Sequence, residues 1–292
     1  MHKKHLLFFL TFVSLNICFS QSKNEYFGVV VIGDSISMTY RINIIEKNGS
    51  IKGYSVTDLG GEHETKSNIF GEYDKINKKL NFRETGIVYT KSHISQEDFC
   101  FMNVTVKNFT FDRTKSINTN FFGLFDDNTE CIHGKIILNS MKKIEARLNK
   151  VSKKINKSKR ISDSIKSRVN PLKIMDTLNM NILRKNQTLS IFSKSKKIKL
   201  TVYDGGKEDG DKISISSNGK SLINNFEVKN NKKVFTINII EDKTSILIKA
   251  NNEGNIAPNT VVIEFDDGKN DIQALSNLKV GETTQIDILK AK

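Results

Sequence analysis

The chain has no tryptophan, two prolines, three cysteines and five histidines among its 292 residues. So few prolines argue against proline-rich linkers. The histidines that follow the N-terminal segment, His63, His93 and His133, lack the spacing of metal ligands, which argues against a zinc site. After residue 20 no run is apolar enough to span a bilayer, so we expect no transmembrane segment in the mature chain.

The first residues, MHKKHLLFFLTFVSLNICFSQSK, have the pattern of a secretory signal: two lysines, an apolar run from Leu6 to Val13, and small residues before Gln21. We therefore predict a signal peptide at residues 1–20 and a mature chain exported to the periplasm or the cell exterior. Export leaves Cys100 and Cys131 as an even pair in an oxidising compartment. This pair predicts a disulfide, with two buried thiols as the alternative.

The chain is strongly basic. Removal of Lys3 and Lys4 with the signal leaves 44 basic against 32 acidic residues, a net charge of +12. Such a charge favours an anionic partner, and we expect a polysaccharide or an anionic envelope component rather than nucleic acid. An AT-rich genome also produces Lys-, Asn- and Ile-rich proteins, so the charge alone does not identify the partner.

Residues 21–139 are predicted to form an N-terminal antiparallel β domain. Short runs rich in β-branched and aromatic residues are separated by turn signals such as Lys47-Asn48-Gly49, and alternate residues of MTYRINII, from Met38 to Ile44, share one face. We expect a meander of about eight strands that forms a barrel or a sandwich. The predicted strands are 27–32, 36–46, 50–58, 66–73, 79–84, 86–91, 99–111 and 135–139.

Residues 140–180 are predicted to form a basic helical linker. Ile144, Leu148, Val151 and Ile155 recur at helical spacing, and lysines and arginines cover the other faces. Two roles stay open: a connector docked through its apolar seam, or a basic helix lying on an anionic surface.

Residues 181–292 are predicted to form a C-terminal β-sandwich, because short strands and turns alternate closely along this part of the chain. The predicted strands are 187–193, 198–203, 212–216, 222–228, 233–240, 245–250, 260–265, 271–275 and 284–289. The fold class is therefore mainly β, with two β domains joined by a basic helix.

The stretch VVVIGDSIS, residues 29–37, contains Gly33-Asp34-Ser35, the tripeptide of the Gly-Asp-Ser esterases and lipases. Such an enzyme needs a base within hydrogen-bond reach of the serine. The nearest match to its Asp-x-x-His motif is Glu130-Cys131-Ile132-His133, which has the wrong acid, and the residues after Ser35 predict a strand where that fold needs a helix. We therefore favour a strand that turns at Gly33, and keep an esterase using Ser35 and His133 as the alternative.

The stretch YDGGKEDGDKISISSNGK, residues 203–220, places acidic side chains on a glycine-rich loop. Carboxylate oxygens on such a loop are the ligands that Ca²⁺ prefers. We predict a calcium site, with a solvated hairpin loop as the alternative. Its predicted ligands are Asp204, Glu208, Asp209 and Asp211.

The acidic loop, the alternating strand after it and Asn218-Gly219 together resemble the calcium-dependent carbohydrate-binding modules. This resemblance covers the last third of the chain and implies a β-sandwich whose loop-held Ca²⁺ ligates sugar hydroxyls. As a whole, the chain is similar to exported bacterial proteins of unknown function that end in a β-sandwich. We therefore expect a non-catalytic exported binding or cell-envelope protein.

Overall fold

The computed structural model describes residues 24–33, 36–93, 95–163, 166, 171 and 180–291. Over this part of the chain the fold is mainly β, as the sequence predicts, with a single α-helix. No helix among the described residues combines the length and the apolar character needed to cross a membrane. The predicted signal peptide at residues 1–20 lies outside the described residues.

The N-terminal part is an eight-stranded antiparallel barrel in which each strand pairs with the next and β8 pairs with β1. Of the two predicted architectures, the barrel is therefore the one that forms. Its strands are β1 (Asn24–Ile32), β2 (Ile36–Lys47), β3 (Ser50–Thr57), β4 (Thr65–Asp74), β5 (Lys79–Thr90), β6 (Phe101–Val106), β7 (Ser116–Leu124) and β8 (Glu130–Ser140).

Strand alternation fills the barrel with apolar side chains, among them Tyr40, Ile42 and Ile44 of β2, all fully buried. One end of the barrel is closed by rings from the β6–β7 connection. Phe109 packs edge-on against Phe111, with ring centroids 4.9 Å apart, and both rings contact Tyr73. At the opposite end of the barrel, β1 turns into β2 and β5 leads into β6.

The helix α1 (Met141–Lys157) follows β8 directly. The Ser140 hydroxyl caps it by accepting a hydrogen bond from Lys143 N at 3.3 Å, and the helix ends at Ser158. The basic helix predicted within 140–180 is confirmed over this span, and most of residues 164–179 lie outside the described residues. Its apolar seam is only partly covered, since Val151 is 48% exposed.

The C-terminal part is a sandwich of two five-stranded sheets around one apolar core. One sheet has the order β13-β12-β15-β18-β10 and the other β14-β11-β16-β17-β9. The strands are β9 (Ile182–Leu183), β10 (Thr188–Ser193), β11 (Lys197–Tyr203), β12 (Lys212–Ser217), β13 (Lys220–Glu227), β14 (Lys233–Asn238), β15 (Lys243–Ala250), β16 (Asn259–Asp266), β17 (Asp271–Leu278) and β18 (Thr283–Lys290).

Strand β5 belongs to both parts. Its first half pairs with β6 and closes the barrel, and its last residues pair with β10 of the sandwich at Tyr89↔Ile191 and Thr90↔Ser190. The barrel and one sheet of the sandwich therefore form a continuous thirteen-stranded sheet.

The predicted disulfide between Cys100 and Cys131 is present, with Cα atoms 6.1 Å apart. It passes over β7 at Gly123, where any Cβ would collide with Cys100 Sγ and with the Ile132 carbonyl. The absence of a side chain at Gly123 is what lets β6 and β8 be linked across the strand between them. The disulfide also holds the end of the β5–β6 connection against the barrel wall.

Candidate functional site

Strands β5 and β6 separate at Glu84. Their pairing runs from Leu80↔Val106 to Arg83↔Asn103 and stops there. The next backbone N–H on β6, that of Met102, donates instead to Glu84 Oε2 at 2.9 Å. A side-chain carboxylate thus replaces a backbone carbonyl at the point where the barrel wall opens.

A cavity of about 440 Å³ lies at this open end of the barrel, and we call it the barrel-mouth cavity. Its lining is mostly apolar, and part of it comes from the β5–β6 connection, which is tied down by the disulfide. The lining residues are Val30, Ile32, Met38, Thr57, Asp58, His63, Thr65, Ser67, Glu84, Ser92, Asp98, Phe99, Cys100, Phe101, Met102, Phe121 and Ile132.

Glu84 is 4% exposed and sits in a network of neutral donors. Its Oε1 accepts hydrogen bonds from Tyr40 Oη at 3.0 Å and Ser55 Oγ at 2.5 Å, in addition to the Met102 bond on Oε2. Burial raises the pKa of the Glu84 carboxyl, and the three donors oppose this rise. The phenol of Tyr40, buried beside this carboxyl, has a pKa well above its ordinary value.

The rim of the cavity is polar. The backbone N–H of His63 donates to Asp58 Oδ2 at 3.0 Å, and the His63 ring lies 3.4 Å from Ser92 Oγ. Asp98 lies in a short 3-10 helix, Gln96–Asp98, on the other side of the opening. The arrangement of an apolar interior, one buried carboxyl and a polar rim is typical of a small-ligand site in a barrel mouth.

Glu84 is absent from the site residues predicted from the sequence, yet the sequence carries a signal for it. In KLNFRE, the residues Leu80, Phe82 and Glu84 alternate onto one face of a strand, and the first two are apolar. A charged residue at the third inward position breaks the pattern of a core strand. Such a break marks a functional position or a buried polar network.

The acidic loop, residues 204–211, connects β11 to β12, and the structure divides its predicted calcium ligands into two pairs. Asp204 Oδ1 accepts the N–H of Gly206 at 2.7 Å, and Glu208 Oε1 accepts the N–H of Asn230 at 2.7 Å. These two side chains therefore organise turns.

The other pair, Asp209 and Asp211, lies under the connection between β15 and β16. Asp209 Oδ2 accepts the N–H of Ile256 at 3.1 Å, and Asp211 Oδ2 accepts the N–H of Thr260 at 2.8 Å. The second oxygen of each carboxylate is buried without a hydrogen-bond partner, as is Asn259 Oδ1. Burial raises the pKa of Asp211 to about 6, and the nearby charges of Asp209, Asp204 and Glu253 add to this rise.

Asp266 lies at the other end of the sandwich from the acidic loop, because it pairs with Lys199 near the start of β11, whereas the loop follows the end of β11. In the described part of the chain, no three His, Cys, Asp or Glu side chains form a group that could hold a metal ion. A cation at Asp209 and Asp211 would therefore need amide and backbone carbonyl oxygens as well.

Ser35, the candidate nucleophile, lies outside the described residues. Its candidate base, His133, is in β8, one residue before the partner of Ile32, and its ring packs on Phe122 with centroids 4.6 Å apart. The only ion pair of His133 among the described residues is with Glu130, at 3.5 Å.

The short motifs that resemble carbohydrate-binding modules lie in the last third of the chain. Neither the protein-family models, nor the curated proteins, nor the solved structures with which the chain was compared contain a match to it.

Proposed function

We propose that this protein is a non-catalytic binding protein that holds a small, largely apolar molecule in the barrel-mouth cavity. The observation that carries the proposal is the cavity itself: about 440 Å³ at the end of the barrel opposite the Phe109 rings, lined by Phe99, Phe101 and Met102 and containing a buried carboxyl. The other end is filled by the Phe109 ring cluster, so a ligand enters from one side.

The apolar surface that a ligand would bury gives an estimate of the free energy gained on binding. Transfer of apolar surface from water contributes roughly 25 cal/mol per Å². A ligand that covers about 200 Å² of apolar surface would therefore gain about 5 kcal/mol before the costs of association. The polar groups in the cavity fix the ligand's orientation, which is their usual role in mostly apolar pockets.

A pair of isoleucines in β8 allows a matched test. Ile132 lines the cavity and is 44% exposed, and Ile137, on the outer face of the same strand, is 38% exposed. We would titrate the full chain with the neutral fluorescent probe N-phenyl-1-naphthylamine. Ile132→Asn should weaken probe binding several-fold and Ile137→Asn should leave it unchanged. No saturable binding, or equal effects of the two substitutions, would overturn the proposal.

A second candidate function is calcium binding by the C-terminal sandwich, and one specific observation favours it. Asp209 Oδ1, Asp211 Oδ1 and Asn259 Oδ1 are buried without partners at one end of the sandwich, and Asp211 is only 1% exposed. Buried polar atoms are almost always hydrogen-bonded, so each orphan needs an explanation. Ca²⁺ accepts carboxylate, amide and backbone carbonyl oxygens together.

The calcium proposal is tested by thermal unfolding of the full chain. Millimolar Ca²⁺ should raise the melting temperature by several degrees relative to EGTA, because a ligand at 100 times its Kd adds about 2.7 kcal/mol. Asp211→Asn should abolish the shift. Asp242→Asn, in an exposed turn of the same sandwich, should keep it. A shift that survives in the Asp211 variant would contradict this site.

The contacts of the aromatic residue beside the acidic loop do not favour a glycan partner. Tyr203, the aromatic residue nearest to the acidic loop, is already engaged: its hydroxyl donates to Glu264 at 2.6 Å, and Lys232 Nζ lies 4.6 Å from its ring centroid. One face of its ring is thus covered by the Lys232 ammonium. Export to the periplasm or cell exterior, and an anionic envelope component as a partner of the basic surface, stay predictions.

A further inference from the structure

The charge of the barrel-mouth cavity is opposite to that of the protein. The chain carries 46 Lys and Arg against 32 Asp and Glu. Yet three carboxyl side chains, those of Asp58, Glu84 and Asp98, line the cavity, and no Lys or Arg is among the described residues that do so. Because the protein as a whole is basic, the acidic lining distinguishes this cavity from the rest of the molecule.

Glu84 also has acceptor capacity left. A carboxylate offers about four acceptor positions. Three are used, by Tyr40, Ser55 and the Met102 backbone, and all three donors are neutral. Among the described residues Glu84 forms no ion pair, although it is almost fully buried. A buried carboxylate without a cation is costly, and a positively charged ligand removes that cost.

We infer that the barrel-mouth cavity selects an organic cation, an amine with an apolar body, whose ammonium group pairs with the carboxylate of Glu84. This inference rests on the proposed function and adds the chemical class of the ligand. The apolar body lies against Met102 and the phenylalanine side chains of the cavity. Phe101 and Phe121 also line the cavity, and aromatic rings attract ammonium groups within about 6 Å of the ring centroid.

The test compares three ligands that share one chain length and differ in charge. Decylamine, decanol and decanoate would each compete with N-phenyl-1-naphthylamine for the full chain at neutral pH. Decylamine should displace the probe at a concentration about tenfold lower than decanol, because only the ammonium group neutralises the buried carboxylate. Decanoate should be the weakest, because it would place a second negative charge beside Glu84.

Two substitutions then test whether the Glu84 carboxylate is the group that recognises the ammonium. Glu84→Gln keeps the size of the side chain and should bring decylamine to the level of decanol, with decanol unchanged. Glu72→Gln, at an exposed position of β4, should keep the preference for the amine. If Glu84→Gln does not fold, the ranking of the three ligands by the unmodified chain still decides whether the cavity selects a cation, and a ranking without preference for the amine overturns the inference.

The outcomes separate the two proposals. Probe binding that is sensitive to Ile132→Asn, without any preference for the amine, overturns the inference and leaves the proposed function standing. A preference that survives Glu84→Gln also overturns the inference, because the charge would then be recognised elsewhere. Absence of saturable probe binding overturns the proposed function itself.

Discussion

Glu64 and Lys91 form a fully buried ion pair where the barrel meets the sandwich. Glu64 Oε2 lies 3.1 Å from Lys91 Nζ, and the two side chains are 0% and 1% exposed. Glu64 also accepts hydrogen bonds from the Tyr89 hydroxyl and the Gly60 backbone, while Lys91 donates to the Ile182 carbonyl in the sandwich. This pair therefore connects the β3–β4 loop, the end of β5 and the first strand of the sandwich.

Removal of one partner should be severe. Glu64→Ala leaves the Lys91 ammonium buried without its counter-charge, and we expect a loss of about 3–5 kcal/mol in the free energy of unfolding. Urea unfolding of the full chain measures this. The exposed pair of Lys142 and Asp112, at 3.3 Å, is the control, since Lys142→Ala should cost less than about 1 kcal/mol. Equal small losses in both variants would show that the Glu64 pair contributes nothing.

The disulfide should support both stability and the cavity. Replacing Cys100 and Cys131 by serine opens a loop between residues 31 apart in sequence, which should cost about 3.7 kcal/mol. Because the bridge holds one wall of the cavity, probe affinity should fall in the same variant. Dithiothreitol should bring the unmodified chain to the variant's affinity and leave the variant unaffected. Unchanged affinity in the serine variant would show that the wall does not depend on the bridge.

The pKa of Asp211 predicts a specific pH dependence in the absence of Ca²⁺. The folded-state pKa, about 6, lies above the ordinary value of 3.8. Between these values the folded chain binds more protons than the unfolded chain, so stability should fall as the pH rises through this window and level off above about 6. Asp211→Asn should flatten the profile and raise the melting temperature at pH 7 in EGTA. A profile identical to that of the unmodified chain would contradict the assignment.

Much of the fold could be predicted because strand periodicity and turn residues are local signals. All nine predicted strands of the sandwich are present, and only the two-residue β9 was missed. In the barrel, the two runs predicted at 79–84 and 86–91 form one strand, β5. Gly86, near the junction of the two runs, adopts a positive φ, and the strand continues through it. β7, Ser116–Leu124, was missed, and the run predicted at 99–111 ends earlier, at Val106.

The sites could be predicted only in part, because they depend on contacts between distant segments. The acidic loop is visible in the sequence, but the separation of Asp209 and Asp211 from Asp204 and Glu208 depends on the β15–β16 connection that covers the first pair. The break that Glu84 makes in the alternation of β5 is a local signal, but the place of Glu84 at an opening in the barrel wall depends on β5 leaving β6 to pair with β10. Strand β10 lies roughly 100 residues after the end of β5 in the sequence, so no local pattern in β5 predicts this pairing.

Methionine methyl groups give the most direct test of the central claim, that the barrel-mouth cavity holds a ligand. The chain has six methionines, of which Met38 and Met102 line the cavity and Met141 lies at the start of α1, beyond the opposite end of the barrel. With ¹³C-methyl methionine in the full chain, added N-phenyl-1-naphthylamine should shift the Met38 and Met102 signals and give Overhauser effects to its ring protons. The Met141 signal should stay in place. Saturating probe that leaves Met38 and Met102 unshifted, or that shifts Met141 instead, would contradict the account.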